Sequence, residues 1–368
     1  MHKLFIMKVT ALTHLHKAAG ARMVEYAGFE MPVEYSGVIN EHLNVRKYAG
    51  IFDVSHMGIF WVKGPAALDL LQYITTNNVA SMAVGRAQYS CLPNGKGGIV
   101  DDLIIYHYGP NKYMLVVNAS NCEKDWQWIN RQNSFGAEVE NASERTSLIA
   151  LQGPSAQPIL QSLVRTDLSE LRNFSLHTEN IPHIGEIIIA STGYTGAGGF
   201  ELSCRNDSAV PLWEALLKNG KPYNLIPVGL AARDTLRLEM GYSLYGNDID
   251  ETTSPIEAGL GWIVKLDKEV KCIDHDILKQ QVVKGTQRKL VGFEMLERGI
   301  PRHHYVLCDK DNKPVGHVTS GTMSPILQKG IGMGYVNINQ SKVGNEIYVR
   351  VRDKLLKALV VRLPFIKK

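Results

Sequence analysis

GGIVDDLIIYHYGPNKYMLVVN, residues 97–118, is the stretch on which the fold turns. Two apolar, β-rich runs flank Gly109-Pro110-Asn111-Lys112, and this pattern predicts a hairpin. The first run carries two adjacent carboxylates, Asp101 and Asp102, between Ile99-Val100 and Leu103-Ile104-Ile105. Aspartate is depleted from strands, and a charge in apolar surroundings is destabilising unless it is paired or functional. Successive strand side chains point to opposite faces, so one aspartate can face solvent while the other faces a cavity. Spacing does not decide which. The plain structural alternative is a strand-edge pair that caps the Gly97-Gly98 turn.

Upstream, Gly37–Lys47 reads as a helix, Ile59–Lys63 as a strand, and Gly64-Pro65 as the start of a helix with proline in its first position. Leu68, Leu71 and Ile74 give that helix an apolar face. The order strand, Gly-Pro, helix returns in SLIALQGPSAQPILQSLV (147–164), which suggests two related α+β units. Downstream of the hairpin, Ser120 and Glu123 form a capping-box pattern for a helix through Trp126 and Ile129. Residues 185–204 read as strand, glycine-rich turn, strand. A helix follows at Ala209–Lys218 and another within 228–241, where Arg233 and Arg237 share a face. Lys265–Gly285 is a polar connector. After it come short strands broken by turns, the texture of a small barrel or sandwich.

The composition sets limits. With 368 residues the chain is long enough for two or three domains, and 45% hydrophobic with 21% charged residues is ordinary for a globular protein. A net charge of +4 is too balanced to argue for nucleic acid and would suit an anionic ligand or acidic partner. No apolar run reaches the ~20 residues of a membrane span. The N-terminal MHKLFIMKVTAL is interrupted by Lys8 and makes a poor signal peptide, and Met7 is an alternative start. Five scattered cysteines without CxxC spacing fit buried thiols in a reducing compartment, the cytoplasm, and no zinc site.

The residues that carry chemistry are few. The glycine turn Gly193–Gly199 lacks the P-loop Lys-Ser/Thr and sits between strands, so nucleotide binding is disfavoured. Such a turn lets backbone approach a flat ligand, on which Tyr194 could stack while Glu201 accepts its N–H groups. His14 and His16 read as a surface pair, and His56 as a packed, hydrogen-bonded histidine. Arg233 alone reads as a helix-face ion pair with Asp234 or Glu239. No histidine or cysteine pattern marks a metal site or a nucleophile. The inventory suits a flat heteroaromatic ligand with a polar edge and mild proton chemistry.

A set of longer segments carries a resemblance: FDVSHMG (52–58), YSCLPNGKGGIVDDLIIY (89–106), LVVNASNCEKD (115–125), LQGPSAQ (151–157), TGYTGAGGFEL (192–202), GLAARDTLRLEMGYSLYGNDIDETTSPIEAGLGW (229–262) and VTSGTMSP (318–325). Together they resemble the T-protein family, the aminomethyltransferases of the glycine cleavage system, from about Lys17 to Pro364. The resemblance implies an α+β fold of three domains in a cloverleaf around a central folate channel, with two intertwined α+β units and a C-terminal β-barrel. The boundaries expected are 1–55 with 142–270, then 56–141 carrying the Asp101-Asp102 strand, then 285–368. It implies transfer of the methylene from the aminomethyl-dihydrolipoyl arm of H-protein to tetrahydrofolate, with ammonia released, no metal, and functional links to the P-protein and dihydrolipoyl dehydrogenase. Carried over by position, Asp102 is the key aspartate, Glu201 the pterin-edge carboxylate and Arg233 the arginine of the AARD motif. Tyr89, Asn118 and Tyr194 fall on folate-pocket positions, and Met57 and Trp262 on the channel lining. The chain departs from the pattern at Ala197, where many relatives carry Glu, and in its short PFIKK terminus. Two other readings stay open here. One is a folate-dependent demethylase of the same superfamily; the other is a non-catalytic folate-binding protein of iron–sulfur assembly.

Overall fold

The computed structural model describes residues 7–367, so the first half of the N-terminal apolar patch lies outside it. The elements run α1 Thr13–Ala18, β1 Arg22–Tyr26, β2 Phe29–Glu34, α2 Val38–Lys47, β3 Ala49–Asp53, β4 Gly58–Lys63 and α3 Ala67–Ile74. Next come β5 Ala87–Pro93, β6 Ile99–Gly109, β7 Lys112–Val117, α4 Cys122–Gln132, β8 Glu138–Asn141, β9 Thr146–Gln152 and α5 Ala156–Gln161. Then follow β10 Leu176–Ile181, β11 Gly185–Ala190, β12 Gly199–Arg205, α6 Asn206–Gly220, β13 Leu225–Pro227, α7 Leu230–Glu239 and α8 His275–Lys284. The last six strands are β14 Arg288–Met295, β15 Val306–Cys308, β16 Pro314–Met323, β17 Gly330–Asn337, β18 Glu346–Val351 and β19 Lys354–Val361. None of the described helices is long and apolar enough to cross a membrane.

The predicted hairpin is β6–β7, with Asn111 in the left-handed region at its turn (φ 51°). The five-stranded sheet that contains it has the order β5-β6-β7-β4-β8. A six-stranded sheet has the order β10-β11-β12-β9-β3-β13, antiparallel except for the β13–β3 pair. Its core is the alternate set Ile149 and Leu151 on β9, Ile187 and Ile189 on β11, and Leu202 on β12, packed against Leu160, Leu212 and Trp213 of α5 and α6. Strand β14 to strand β19 close a barrel in the order β14-β17-β16-β15-β18-β19. Closure leaves no unpaired edge. β17 is buried almost throughout, because Val336 faces the barrel core while Ile331, Met333 and Tyr335 pack with Leu238 and Phe365.

The chain divides into two compact units. One runs to Ala67 and adds Met82–Gln88 and Ile104–Asp234; the other is Leu68–Ser81, Tyr89–Leu103 and Thr235 onward. The transfers between them fall inside α3, β5, β6 and α7 and, at Ser81–Met82, just after a 3-10 turn.

Several local expectations shift. α3 begins at Ala67, two residues after Pro65, and its buried face is Ala67, Leu70, Leu71 and Ile74, with Leu68 only half-buried. Ser120 does not cap α4; it sits in a 3-10 turn, and Asn121 takes the cap position without a capping hydrogen bond to the helix. α6 starts at Asn206, earlier than its apolar pattern suggests. The β1–β2 hairpin has no clear signature in the sequence. The connector is ordered: it holds α8 and a buried Lys268, whose Nζ donates to the carbonyls of Gln72 (2.5 Å), Thr75 (2.6 Å) and Asn77 (3.1 Å). Burial pulls the pKa of Lys268 down to about 8, which leaves the ammonium charged at neutral pH.

Candidate active site

β6 opens on a pinned loop. The Asn94 side-chain oxygen accepts from the amides of Lys96 (2.8 Å) and Gly98 (3.0 Å), and its amide donates to the Glu251 carbonyl (2.9 Å). A Cβ at Gly98 would collide with that same carbonyl, so the approach requires glycine. Asn94, not the aspartate pair, therefore caps the Gly97-Gly98 turn. Ile99 follows, donating to Asp250 O (3.1 Å) and accepting from the Tyr245 hydroxyl (2.9 Å).

The two aspartates then part. Asp101 is fully buried and Asp102 is half-buried, as strand alternation demands. The Tyr89 hydroxyl donates to Asp102 Oδ2 at 2.8 Å. The Trp262 ring stacks on Tyr89 with centroids 6.0 Å apart and planes 28° apart, yet Trp262 is 61% exposed. An exposed tryptophan over a tyrosine that holds a carboxylate is an aromatic wall beside a charge, suited to a flat cationic or donor-rich ligand. Neighbouring Cys91 is inert: burial first, then Asp102 and Asp101, push its thiol well above the usual range.

In the other unit the glycine turn between β11 and β12 is held from below. The buried Gln152 amide donates to the carbonyls of Thr192 (3.1 Å) and Phe200 (3.2 Å), and its oxygen accepts from the Thr195 hydroxyl (2.7 Å). Arg46 donates to the Thr195 carbonyl (2.5 Å). So anchored, the turn presents Tyr194, and the Arg233 guanidinium lies over its ring at 4.6 Å from the centroid. Arg233 is thus a cation stacked on an aromatic ring. Glu201 accepts from the Thr192 hydroxyl (2.6 Å), which also meets Tyr106 (3.1 Å). Pairing of Gly58 with Val117 sets Met57 and Asn118 beside each other at one end of the β4–β7 ladder. The structure brings together Tyr194 with Arg233, Met57 with Asn118, and Tyr89 with Asp102 and Trp262.

His16 differs from expectation, and His56 is packed as expected. His16 is buried, not at the surface; its Nε2 meets Asp53 Oδ2 at 2.9 Å and its Nδ1 meets the Tyr35 hydroxyl at 2.9 Å. Burial would raise Asp53, but bonds from His16, Ser55 and Thr10 hold its carboxyl below the ordinary value. His56 is buried edge-on to Tyr26, and its Nδ1 has no hydrogen-bond partner. Burial first, then the Arg233 charge, lower its pKa to about 4. Arg237 also separates from Arg233. It is buried and donates to Asp248 Oδ2 (2.7 Å), Tyr242 O (3.0 Å) and Ser320 Oγ (2.8 Å), a structural knot. Gln152 and Arg46 escaped the sequence reading because their partners are backbone carbonyls far along the chain. Among the described residues no group of three His, Cys, Asp or Glu side chains gathers as a metal set.

Comparison with known proteins gives one answer. Residues 12–268 match the GCVT N-terminal domain, and residues 288–367 the glycine cleavage T-protein C-terminal barrel domain. Aminomethyltransferases of Phocaeicola vulgatus and Bacteroides fragilis are 53% and 54% identical over 361 residues, spanning 98% of this chain and 100% of each relative. The crystal structure of the glycine cleavage system aminomethyltransferase T from Bartonella henselae superposes with a TM-score of 0.90 at 35% identity, covering 98% of both chains. Matched in sequence and in fold over nearly its full length, the chain belongs to the glycine cleavage T-protein family and is an aminomethyltransferase.

Proposed function

We propose that this enzyme transfers the methylene of the aminomethyl-dihydrolipoyl arm of H-protein to tetrahydrofolate, giving 5,10-methylenetetrahydrofolate, ammonia and the reduced arm. The observation that carries the reading is the half-exposed Asp102 carboxylate, set in an apolar strand and held by Tyr89. In this reading Arg233, Tyr194 and Glu201 recognise the pterin. A carboxylate matches the ring's amino and N–H donors, an arginine its carbonyl, and a tyrosine its face. Met57, Asn118, Tyr89 and Trp262 complete the folate contacts. The proposed domain division remains 1–55 with 142–270, 56–141 and 285–368.

The chemistry asks little of the protein beyond placement and charge. Folate N5 attacks the S–CH2–NH3+ carbon as ammonia departs, N10 closes the ring, and the sulfur leaves as a thiol. Positive charge develops at the methylene, and a fixed carboxylate at position 102 stabilises it. Asp102 also accepts a proton from the attacking nitrogen. Holding the two reactants in contact supplies much of the rate. The test is incubation with tetrahydrofolate and aminomethyl-loaded H-protein. Ammonia and methylenetetrahydrofolate should appear in equal amounts, and folate binding without ammonia would overturn the reading.

A further inference from the structure

We infer that Tyr89 is a positioning residue for Asp102, its hydroxyl acting through the carboxylate beyond any contact its ring makes with the folate; this rests on the role proposed for Asp102. The geometry is continuous and lies within one unit. The phenol donates to Asp102 Oδ2 at 2.8 Å, which fixes the orientation of the carboxylate. A donor to the ionised form also favours that form. The ring cannot swing freely, because Trp262 stacks on it.

Its backbone is pinned as well. The Asn77 side chain donates to the Tyr89 carbonyl (2.8 Å), and the Asn77 amide donates to Ser90 Oγ (3.1 Å). Asn77 is in turn clamped by the buried Lys268 ammonium, which holds its carbonyl together with those of Gln72 and Thr75. A line of hydrogen bonds thus runs from a lysine in the connector, through Asn77 and Tyr89, to the carboxylate. This explains why a lysine is buried there: it sets the stiffness of a support whose end is a charged oxygen.

The test uses the full-length enzyme with tetrahydrofolate and aminomethyl-loaded H-protein, comparing wild type with Tyr89→Phe and Asn77→Ala. Tyr89→Phe keeps the ring and its stack on Trp262 but removes the bond. Its kcat should fall about tenfold, with the KM for folate nearly unchanged, and the acid limb of the kcat profile should move up by about one pH unit. Asn77→Ala, which keeps the phenol but loosens its backbone, should shift both in the same direction by less. A Tyr89→Phe enzyme with raised KM, unaltered kcat and an unmoved acid limb would make the Tyr89 hydroxyl a folate contact only and overturn the inference. If Tyr89→Phe does not fold, an Asn77→Ala enzyme with wild-type kcat and acid limb overturns it instead. Absence of turnover in wild type would instead strike the functional reading.

Discussion

The guanidinium carbon of Arg233 stands 4.6 Å from the centre of the Tyr194 ring, and the tyrosine's turn is anchored by Gln152 and Arg46. A planar cation stacked on a ring keeps its N–H edge free to meet an acceptor. Arg233→Lys keeps the charge and loses both the plane and the fork. It should weaken tetrahydrofolate binding by about tenfold or more in a calorimetric titration. Unchanged affinity would remove Arg233 from the ligand site.

Asp102→Asn keeps shape and hydrogen bonding to Tyr89 while removing charge. Turnover should drop by roughly 10²–10³-fold, with folate affinity largely retained. Asp101→Asn, at the buried position beside it, should act on stability instead, read as a lowered urea midpoint. Comparable turnover in the Asp102→Asn and wild-type enzymes would remove the proposed role.

Acid should loosen the unit that holds His56 and Asp53. His56 titrates near 4 in the fold against about 6.5 in an unfolded chain. The unfolded state therefore takes the proton first, and stability declines as pH falls from about 6.5 to about 4, by on the order of 3 kcal/mol from this group. Asp53, also held low, extends the loss further downward in pH. Urea midpoints across this range should fall with pH, and His56→Phe should flatten the upper part of the curve. An NMR titration should find the His56 ring neutral at pH 5.5.

Lys268→Met would leave the carbonyls of Gln72, Thr75 and Asn77 buried without their shared donor. Removal should destabilise the protein by about 2–4 kcal/mol, seen as a lower urea midpoint at unchanged slope.

What could be read from the sequence was whatever local pattern dictates. The hairpin at Gly109–Lys112, the repeated strand, Gly-Pro and helix order, and the barrel strands all follow from periodicity and turn residues. Asp102 stood out because a charge in a β-rich run violates the composition of strands. Other features depend on distant partners. Gln152 looks like any strand residue until Thr192, Thr195 and Phe200 close over it. His16 sits in a helix of ordinary composition and is buried because Asp53 and Tyr35 reach it from elsewhere. Lys268 lay in a polar stretch, where nothing local marks the carbonyls it serves at and beyond the end of α3.

Of the five crossing points between the two units, four lie inside elements, in α3, β5, β6 and α7, and one, at Ser81–Met82, follows a 3-10 turn. No single cut can therefore release either half as a self-contained piece. Expressing one half alone should yield unfolded fragments, and insertions tolerated at surface turns should be lethal at these crossings. Through any gene fusion or recombination, this chain has to travel whole.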